Sequence, residues 1–566
     1  MTKNRVWLKS YAAGVPHSLA PKAEQSLFDV LDDAAQRFPE RPAIAFLRKH
    51  LTYHQLLDSV ERFSAALASM GVEKGDRVGL ILPNCPQYVI AYYASLRLGA
   101  IVVGNNPQYT QRELGHQLRD AGPTVVVVLD QLYPNLAAIR DQIPSLEQVI
   151  VTRLTDYMGF PLKLLAPLKF RKEARQKGRA WPPVPKRADV QWWKALMRTR
   201  RKVPAPVEVD PKQDPAGLIY TGGTTGLSKG AVLTHHNLVT NCRQSSVWLV
   251  DLRDGEESVM CILPFFHAYG MTVGMNLGIY KAAKLILLPR FNVEATLKEI
   301  ERERPSLFPG VPRIYSALNQ AAEGRTLDLS SIRACLSGAA KLPLAVAEQF
   351  EALTGGRVIE GYGLTETSPL THANPISDHR KAGSFGLPIP DTDCRVVDLD
   401  DPTVSVPPEM PGELAISGPQ VMAGYWNQPT ETAAMIRDGW LYTGDIVRMD
   451  EDGYFFLVDR KKEVVIVSGF NVYPTEVEEM LHNHPKVARV AVIGVPDEAT
   501  GEAVKAFVVL RQGETATPQE IIEWCRNPEA GLTGYRVPKQ IEFRDSLPET
   551  LVGKVLRRVL REENTP

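Results

Sequence analysis

The chain has 566 residues, with 65 basic and 65 acidic side chains and a formal net charge of zero. Hydrophobic residues make up 44% and charged residues 23%, which excludes a disordered, collagen-like or disulfide-dense chain. The zero balance argues against a nucleic-acid binder, which needs clustered excess base, and the length predicts about two to four compact units.

The N-terminal stretch has no long apolar run before a small-residue cleavage site, so no secretory signal is expected. The six cysteines, Cys85, Cys242, Cys261, Cys335, Cys394 and Cys525, are scattered without a CxxC pair, as free thiols in a reducing cytosol would be. Helical spacing begins at Leu27, Val30, Leu31, Ala34 and Ala35. A pair of short strands around 43–53 separates two helices. Strands then follow at 77–82, 101–103, 124–129 and 148–152, with a helix over 87–98. Such alternation predicts a largely parallel sheet, which 284–288 and 306–308 are expected to continue.

Two low-charge stretches, 78–104 and 258–280, are long enough to span a bilayer. Both are interrupted by Pro and Asn, as broken elements of a folded core would be, and the second could line an apolar cavity. The stretch 153–202 is different, with fifteen basic and three acidic residues. It also carries Met158–Leu168 and Trp181, Trp192 and Trp193. Two readings fit it: an anionic-membrane contact or a solvated basic crossover. Past Leu399 the chain turns to Pro/Gly-rich turns and short strands. The charged run DRKKE at 459–463 reads as a hinge between a body, 1–458, and a smaller unit, 464–566. That unit contains a helix over 474–481 and strands at 487–495 and 503–510.

The strongest chemical signal is Tyr220-Thr-Gly-Gly-Thr-Thr-Gly-Leu-Ser-Lys229-Gly230, after the apolar strand start 216–219. Small residues let backbone amides approach phosphate oxygens, hydroxyls add donors, and Lys229 adds charge. It is not a Walker loop, which needs GxxxxGK[ST]. A plain Gly/Ser/Thr linker is the bland alternative, and the fixed lysine and flanking strand weigh against it.

YTGGTTGLSKG resembles the signature of the adenylate-forming superfamily of acyl-CoA synthetases, luciferases and adenylation domains. LPFFHAYG (263–270), SGAA (337–340), GYGLTET (361–367), YTGD (442–445), DRKKEVVIVSGFNVYP (459–474) and LVGKVLRR (551–558) follow in the family's order. The wording DGWLYTGD, VDRKK, VSGFNVYP and LTGYRVPK is similar to the bacterial long-chain fatty-acid–CoA ligase branch. The resemblance implies an α/β fold: a large N-terminal domain of layered sheets and helices with a small mobile C-terminal α+β domain. It implies that a carboxylate attacks the α-phosphate of MgATP, giving acyl-AMP and pyrophosphate, and that coenzyme A then takes the acyl group. A long-chain fatty acid is the expected substrate.

The same resemblance implies the site. Thr221, Thr224, Thr225 and Lys229 hold the β/γ-phosphates, with Gly222, Gly223 and Gly226 between them. Thr221 and Glu366 hold Mg²⁺, and Thr365 contacts the α-phosphate. Tyr362, beside Gly363, stacks on adenine next to Gly338, Ala339 and Ala340. Asp445 and Arg460 bind the ribose. Lys554 bridges the fatty carboxylate and α-phosphate. Lys462 is the hinge, and Gly469 opens the pantetheine channel. His267 is either near the acyl site or a core histidine bonded to backbone.

The sequence departs from the family at Glu549, where a lysine is usual, at Asn471, where some relatives have arginine, and at Met271, where some have a gating tryptophan. Competing readings are an aryl-CoA ligase, an acyl-AMP ligase loading a carrier protein, and a non-catalytic lipid-binding scaffold. The set Lys229, Glu366, Asp445, Arg460 and Lys554 speaks against the last. A cytoplasmic location is expected, with peripheral membrane contact through 153–202 and a homodimer both left open.

Overall fold

A computed structural model describes residues 5–163, 166, 184–221, 228–377, 379–527, 532, 534–549 and 555–564. The early helices start where the sequence supplies reciprocal caps. Ser26 with Asp29 opens Leu27–Arg37, Thr52 with Gln55 opens Tyr53–Ala68, and Thr110 with Glu113 opens Gln111–Ala121. Each pair satisfies two of the amide groups left over at a helix start.

The apolar runs pair into an eight-stranded sheet. Its order is Gly424–Tyr425, Lys229–Thr234, Pro215–Thr221, Ile101–Gly104, Arg77–Ile81, Val125–Leu129, Gln148–Thr152 and Val190–Trp192. The pairs from Pro215–Thr221 through Val190–Trp192 are parallel. Val125–Leu129 is buried at every residue, as a strand covered on both faces must be. Helix Pro86–Arg97 is also buried along its whole length. Its Tyr88 hydroxyl donates to the Phe265 carbonyl (3.0 Å), and Tyr93 to Asn276 Oδ1 (3.0 Å).

The expectation that 284–288 and 306–308 extend this sheet is corrected. Lys284–Leu287 lies in a second sheet ordered Ser258–Cys261, Lys284–Leu287, Pro42–Phe46 and Lys49–Thr52. Leu307 bridges that sheet to the next through Val259 and Ala334. The next is ordered Ala334–Ser337, Arg357–Gly363, Leu370–Ala373 and Leu387–Pro388. Short apolar runs carry no label for the sheet they join, because partner choice is long-range.

The stretch 258–280 forms a strand and a buried helical segment. Its turn Gly270–Asn276 is π-helical and buried at every residue. Among the described residues no helix is long and apolar enough to cross a membrane. A further sheet holds Asp393–Val397, Gly412–Ser417, Trp440–Met449, Ile436–Arg437 and Phe455–Arg460. The chain thus forms a mixed α/β fold with a large N-terminal body and a small C-terminal unit. The latter is a five-stranded sheet of Phe470–Val472, Val465–Val467, Gly501–Leu510, Val487–Asp497 and Gln540–Phe543. Its two apolar clusters are built from its own residues.

Two tryptophans of the basic stretch belong to the body. Trp193 is 1% exposed and stacks on Phe63 at 4.1 Å. Arg153 lies 4.3 Å over the half-buried Trp192 ring and pairs with Asp130 at 3.1 Å. Trp181 lies outside the described residues.

Candidate active site

The Gly-rich segment joins two antiparallel strands whose register sets Thr221 opposite Lys229 and Tyr220 opposite Gly230. Gly222, Gly223, Thr224, Thr225 and Gly226 lie outside the described residues, but both ends of the segment are anchored. Helix Gln111–Ala121 supplies both anchors from residues four apart, on one helical face. Tyr220 donates to Asp120 (2.5 Å), and His116 Nε2 donates to the Ser228 carbonyl (3.1 Å). The motif reading of the sequence missed these anchors, because they come from a separate helix.

Lys229 pairs with Glu431 and lies 5.4 Å from the centre of the Tyr425 ring. The Tyr425 hydroxyl donates to Glu366 Oε1 at 2.6 Å. Glu366 sits in the turn Thr365–Thr367 and is 7% exposed. Its carbonyl accepts from Met422 N–H (2.8 Å). Thr365, in the same turn, is half-buried. Lys229 and Glu366 are thus linked through Tyr425. Tyr425 and Glu431 were not foreseen, since GYWNQPTET reads as an ordinary surface turn.

A second group forms around Asp445. Strands Trp440–Met449 and Phe455–Arg460 run antiparallel with Asp445 opposite Arg460. Arg460 Nε contacts Asp445 Oδ1 at 3.0 Å, and the Tyr362 hydroxyl donates to Asp445 Oδ2 at 2.6 Å. Asp445 is 3% exposed, so its two partners compensate a buried charge. Asp445 holds Arg460 above its ordinary range, while burial and then Asp445 push the Tyr362 phenol well up. Thr443, Gly444, Asp445, Arg460, Lys461 and Lys462 line a cleft of about 280 Å³. Desolvation, then Arg460, lowers Lys462.

Tyr362 is backed by aromatics. Its ring stacks on Phe385 at 4.4 Å, and His372 meets both edge-on. Burial drives His372 down to about 3, so it stays neutral. Gly363 is forced, because a Cβ there would stand 1.8 Å from the Pro369 carbonyl oxygen. A Cβ on Gly338 would stand 3.0 Å from the Tyr269 ring. Ala339 and Ala340 follow it, exposed, with Ala339 at φ +68°.

His267 and Gly469 sit on other segments. His267 is half-buried, and its Nδ1 accepts the Tyr269 N–H at 3.2 Å. Met271 is fully buried in the π-helical turn. Gly469 forms with Ser468 a two-residue hairpin turn, both at positive φ, which Gly tolerates best. Asn471 follows on the exposed strand beyond it. Lys554 lies outside the described residues. Glu549 pairs with Arg489 and with Arg313 (3.4 Å). The run 459–463 is braced by the last helix: Arg557 contacts Asp459 at 3.6 Å and Glu478 at 2.6 Å, and Arg561 pairs with Glu463.

A phosphate-type loop end, a buried carboxylate beside it and a stacked aromatic over a carboxylate–guanidinium pair define a nucleotide-handling enzyme. The chain belongs to the AMP-binding enzyme family, whose sequence profile matches 31–426, with the AMP-binding enzyme C-terminal domain at 476–554. It is 45% identical over 100% of its length to a long-chain-fatty-acid–CoA ligase of Bacillus subtilis, covering 99% of that protein. A ligase of the same name from Escherichia coli O6:H1 is 40% identical, with 99% and 98% covered. Among solved structures, ATP-bound MatB from Rhodopseudomonas palustris is similar at TM-score 0.81 and 29% identity, covering 95% of this chain and 98% of that one. The anthranilate CoA ligase AuaEII with anthranoyl-AMP is similar at TM-score 0.81 and 25% identity, with 96% and 98% covered.

Proposed function

We propose that this protein activates a long-chain fatty acid with ATP to acyl-AMP and pyrophosphate, and then transfers the acyl group to coenzyme A, releasing AMP. The observation that carries this is full-length likeness to long-chain-fatty-acid–CoA ligases, at 45% and 40% identity.

The chemistry brings two anions together, so cations and oriented donors must offset their repulsion. In this reading Tyr362 carries the adenine on the ring face opposite Phe385, beside Gly338 to Ala340. Asp445, fixed by Tyr362 and Arg460, accepts the ribose hydroxyls. Lys229 leaves Glu431 for the phosphates, and Thr365 meets the α-phosphate. Glu366 and Thr221 offer hard oxygen donors that suit Mg²⁺, whose other ligands would be phosphate oxygens and water. Bound there, Mg²⁺ would offset the negative charge of the triphosphate.

Lys554 supplies the positive charge between the attacking carboxylate and α-phosphate. The unit 464–566 turns about 459–463 relative to 1–458, withdrawing Lys554 and bringing Gly469 toward the thiol path. His267 and Met271 belong to the acyl side. Peripheral contact with anionic lipid through 153–202 is part of the same proposal, supported by the basic residues and by Phe160, 79% exposed. A cytoplasmic location and a homodimer complete it. Liposome sedimentation of a Lys/Arg-depleted variant and sedimentation velocity test the membrane contact and the dimer.

The main test is AMP release and thioester formation over a panel of fatty acids from medium to long chains. Thioester with long chains is expected, and none with any chain sinks the reading. Lys554→Ala should cripple acyl-AMP formation while sparing thioester formation from supplied acyl-AMP. Equal loss in both half-reactions would remove its step-specific role.

A further inference from the structure

Tyr425 joins the two charged groups at the phosphate end of the site. Its hydroxyl donates to Glu366 Oε1 at 2.6 Å, and Lys229 Nζ stands 5.4 Å from the centre of its ring. Three features fix the phenol. Gly424–Tyr425 pairs antiparallel with Lys229–Thr234, setting Tyr425 opposite Ala231. Its N–H donates to Thr432 Oγ1 at 2.8 Å, and the next N–H, of Trp426, donates to the Gly230 carbonyl at 2.8 Å. The residue is only 9% exposed. Met435 Sδ also lies 2.8 Å from the hydroxyl, but an ionised carboxylate is the stronger acceptor.

One aromatic side chain therefore does two things. It presents a donor to a buried carboxylate that would otherwise sample several rotamers. It also offers a π face to the ammonium, an attraction that grows as water is removed.

We infer that Tyr425 is a positioning residue for the phosphate-bound divalent cation, holding Glu366 in place before nucleotide arrives. The inference rests on the reading that Glu366 faces that cation. Ordering a long flexible side chain in advance avoids an entropy cost at binding. Tyr425→Phe keeps the ring over Lys229 and removes only the donor. Glu366→Asp keeps the charge and draws it out of the phenol's reach, so it is an independent second variant.

The probe is Mn²⁺ with α,β-methylene-ATP, which cannot form acyl-AMP, and free Mn²⁺ is read by electron paramagnetic resonance. Tyr425→Phe and Glu366→Asp should each weaken Mn²⁺ binding to the protein–nucleotide complex about 3- to 10-fold. Metal-free nucleotide affinity should move far less. The Tyr425→Phe effect should vanish in a Glu366→Gln background, which a merely structural role would not produce. Unchanged Mn²⁺ affinity in Tyr425→Phe, or full additivity with Glu366→Gln, overturns the inference. A wild type that forms no acyl-AMP with any of the acids would instead sink the functional reading. The titration separates the two because it needs no turnover.

Discussion

Glu360 lies two residues before Tyr362 on the strand that carries the aromatic wall. Burial raises its carboxyl to about 7, against the Leu342 N–H (3.3 Å) and the Lys341 charge, which lower it. A raised folded-state value favours folding most below the unfolded value of about 4.3. That advantage is lost as pH rises through about 7. Glu360→Gln should therefore match wild type near pH 4 and be more stable by about 1–3 kcal/mol at pH 8. Urea unfolding at the two pH values checks this; equal stabilisation at both would contradict it. Asp445 is the opposite case, a buried charge with two partners. Asp445→Asn leaves the Arg460 guanidinium without its counter-charge and should raise the KM for ATP about tenfold, roughly 1.4 kcal/mol. Steady-state kinetics at saturating fatty acid reads that change.

Helix Pro429–Met435 brings Glu431 to Lys229, and the pair is partly exposed, at 46% and 30%. Such a pair contributes only about 0–1 kcal/mol, so a triphosphate can displace it. Glu431→Gln should lower the KM for ATP about 2- to 5-fold, and an unchanged or higher KM would argue against the displacement. Helix Arg557–Glu562 is held more firmly, because Arg557 bonds Glu478 while also facing the buried Asp459. Arg557→Ala should cost about 3 kcal/mol by leaving buried carboxylates without their partner. These elements also mark what the sequence could tell. Runs such as Val125–Leu129 announce themselves, since a strand covered on both faces is apolar throughout. The helix starts at Ser26, Thr52 and Thr110 rest on neighbours three residues on, a local signal in the sequence. Asp445 with Arg460 was legible only through motif order, because their antiparallel register is a long-range fact. Arg557, in LVGKVLRR, and Tyr425, in GYWNQPTET, carry no such local signal. Each acquires its role from a partner far away in sequence: Asp459 and Glu478 for Arg557, Glu366 and Lys229 for Tyr425.

At the scale of the molecule, the apolar clusters of the C-terminal unit draw on residues 465–560, and the largest cluster of the body stops at Phe455. Described charge pairs such as Lys341 with Glu479 and Arg313 with Glu549 link the two units. Lys341 and Glu479 are 56% and 52% exposed, so this pair adds little to cohesion. Calorimetry should resolve two unfolding transitions, and Arg557→Ala should lower only the one belonging to the C-terminal unit. A single cooperative transition would contradict this. The buried turn Gly270–Asn276 carries a different consequence. A π-helical turn holds one residue more than the α-helix it interrupts, and here Asn276 must meet Tyr92 and Tyr93 at 3.2 Å and 3.0 Å. Removing one residue would swing everything beyond it by about 100° and point Asn276 away from both phenols. In evolutionary terms, this stretch is closed to insertions and deletions, and Gly270 and Asn276 are fixed as residue types as well.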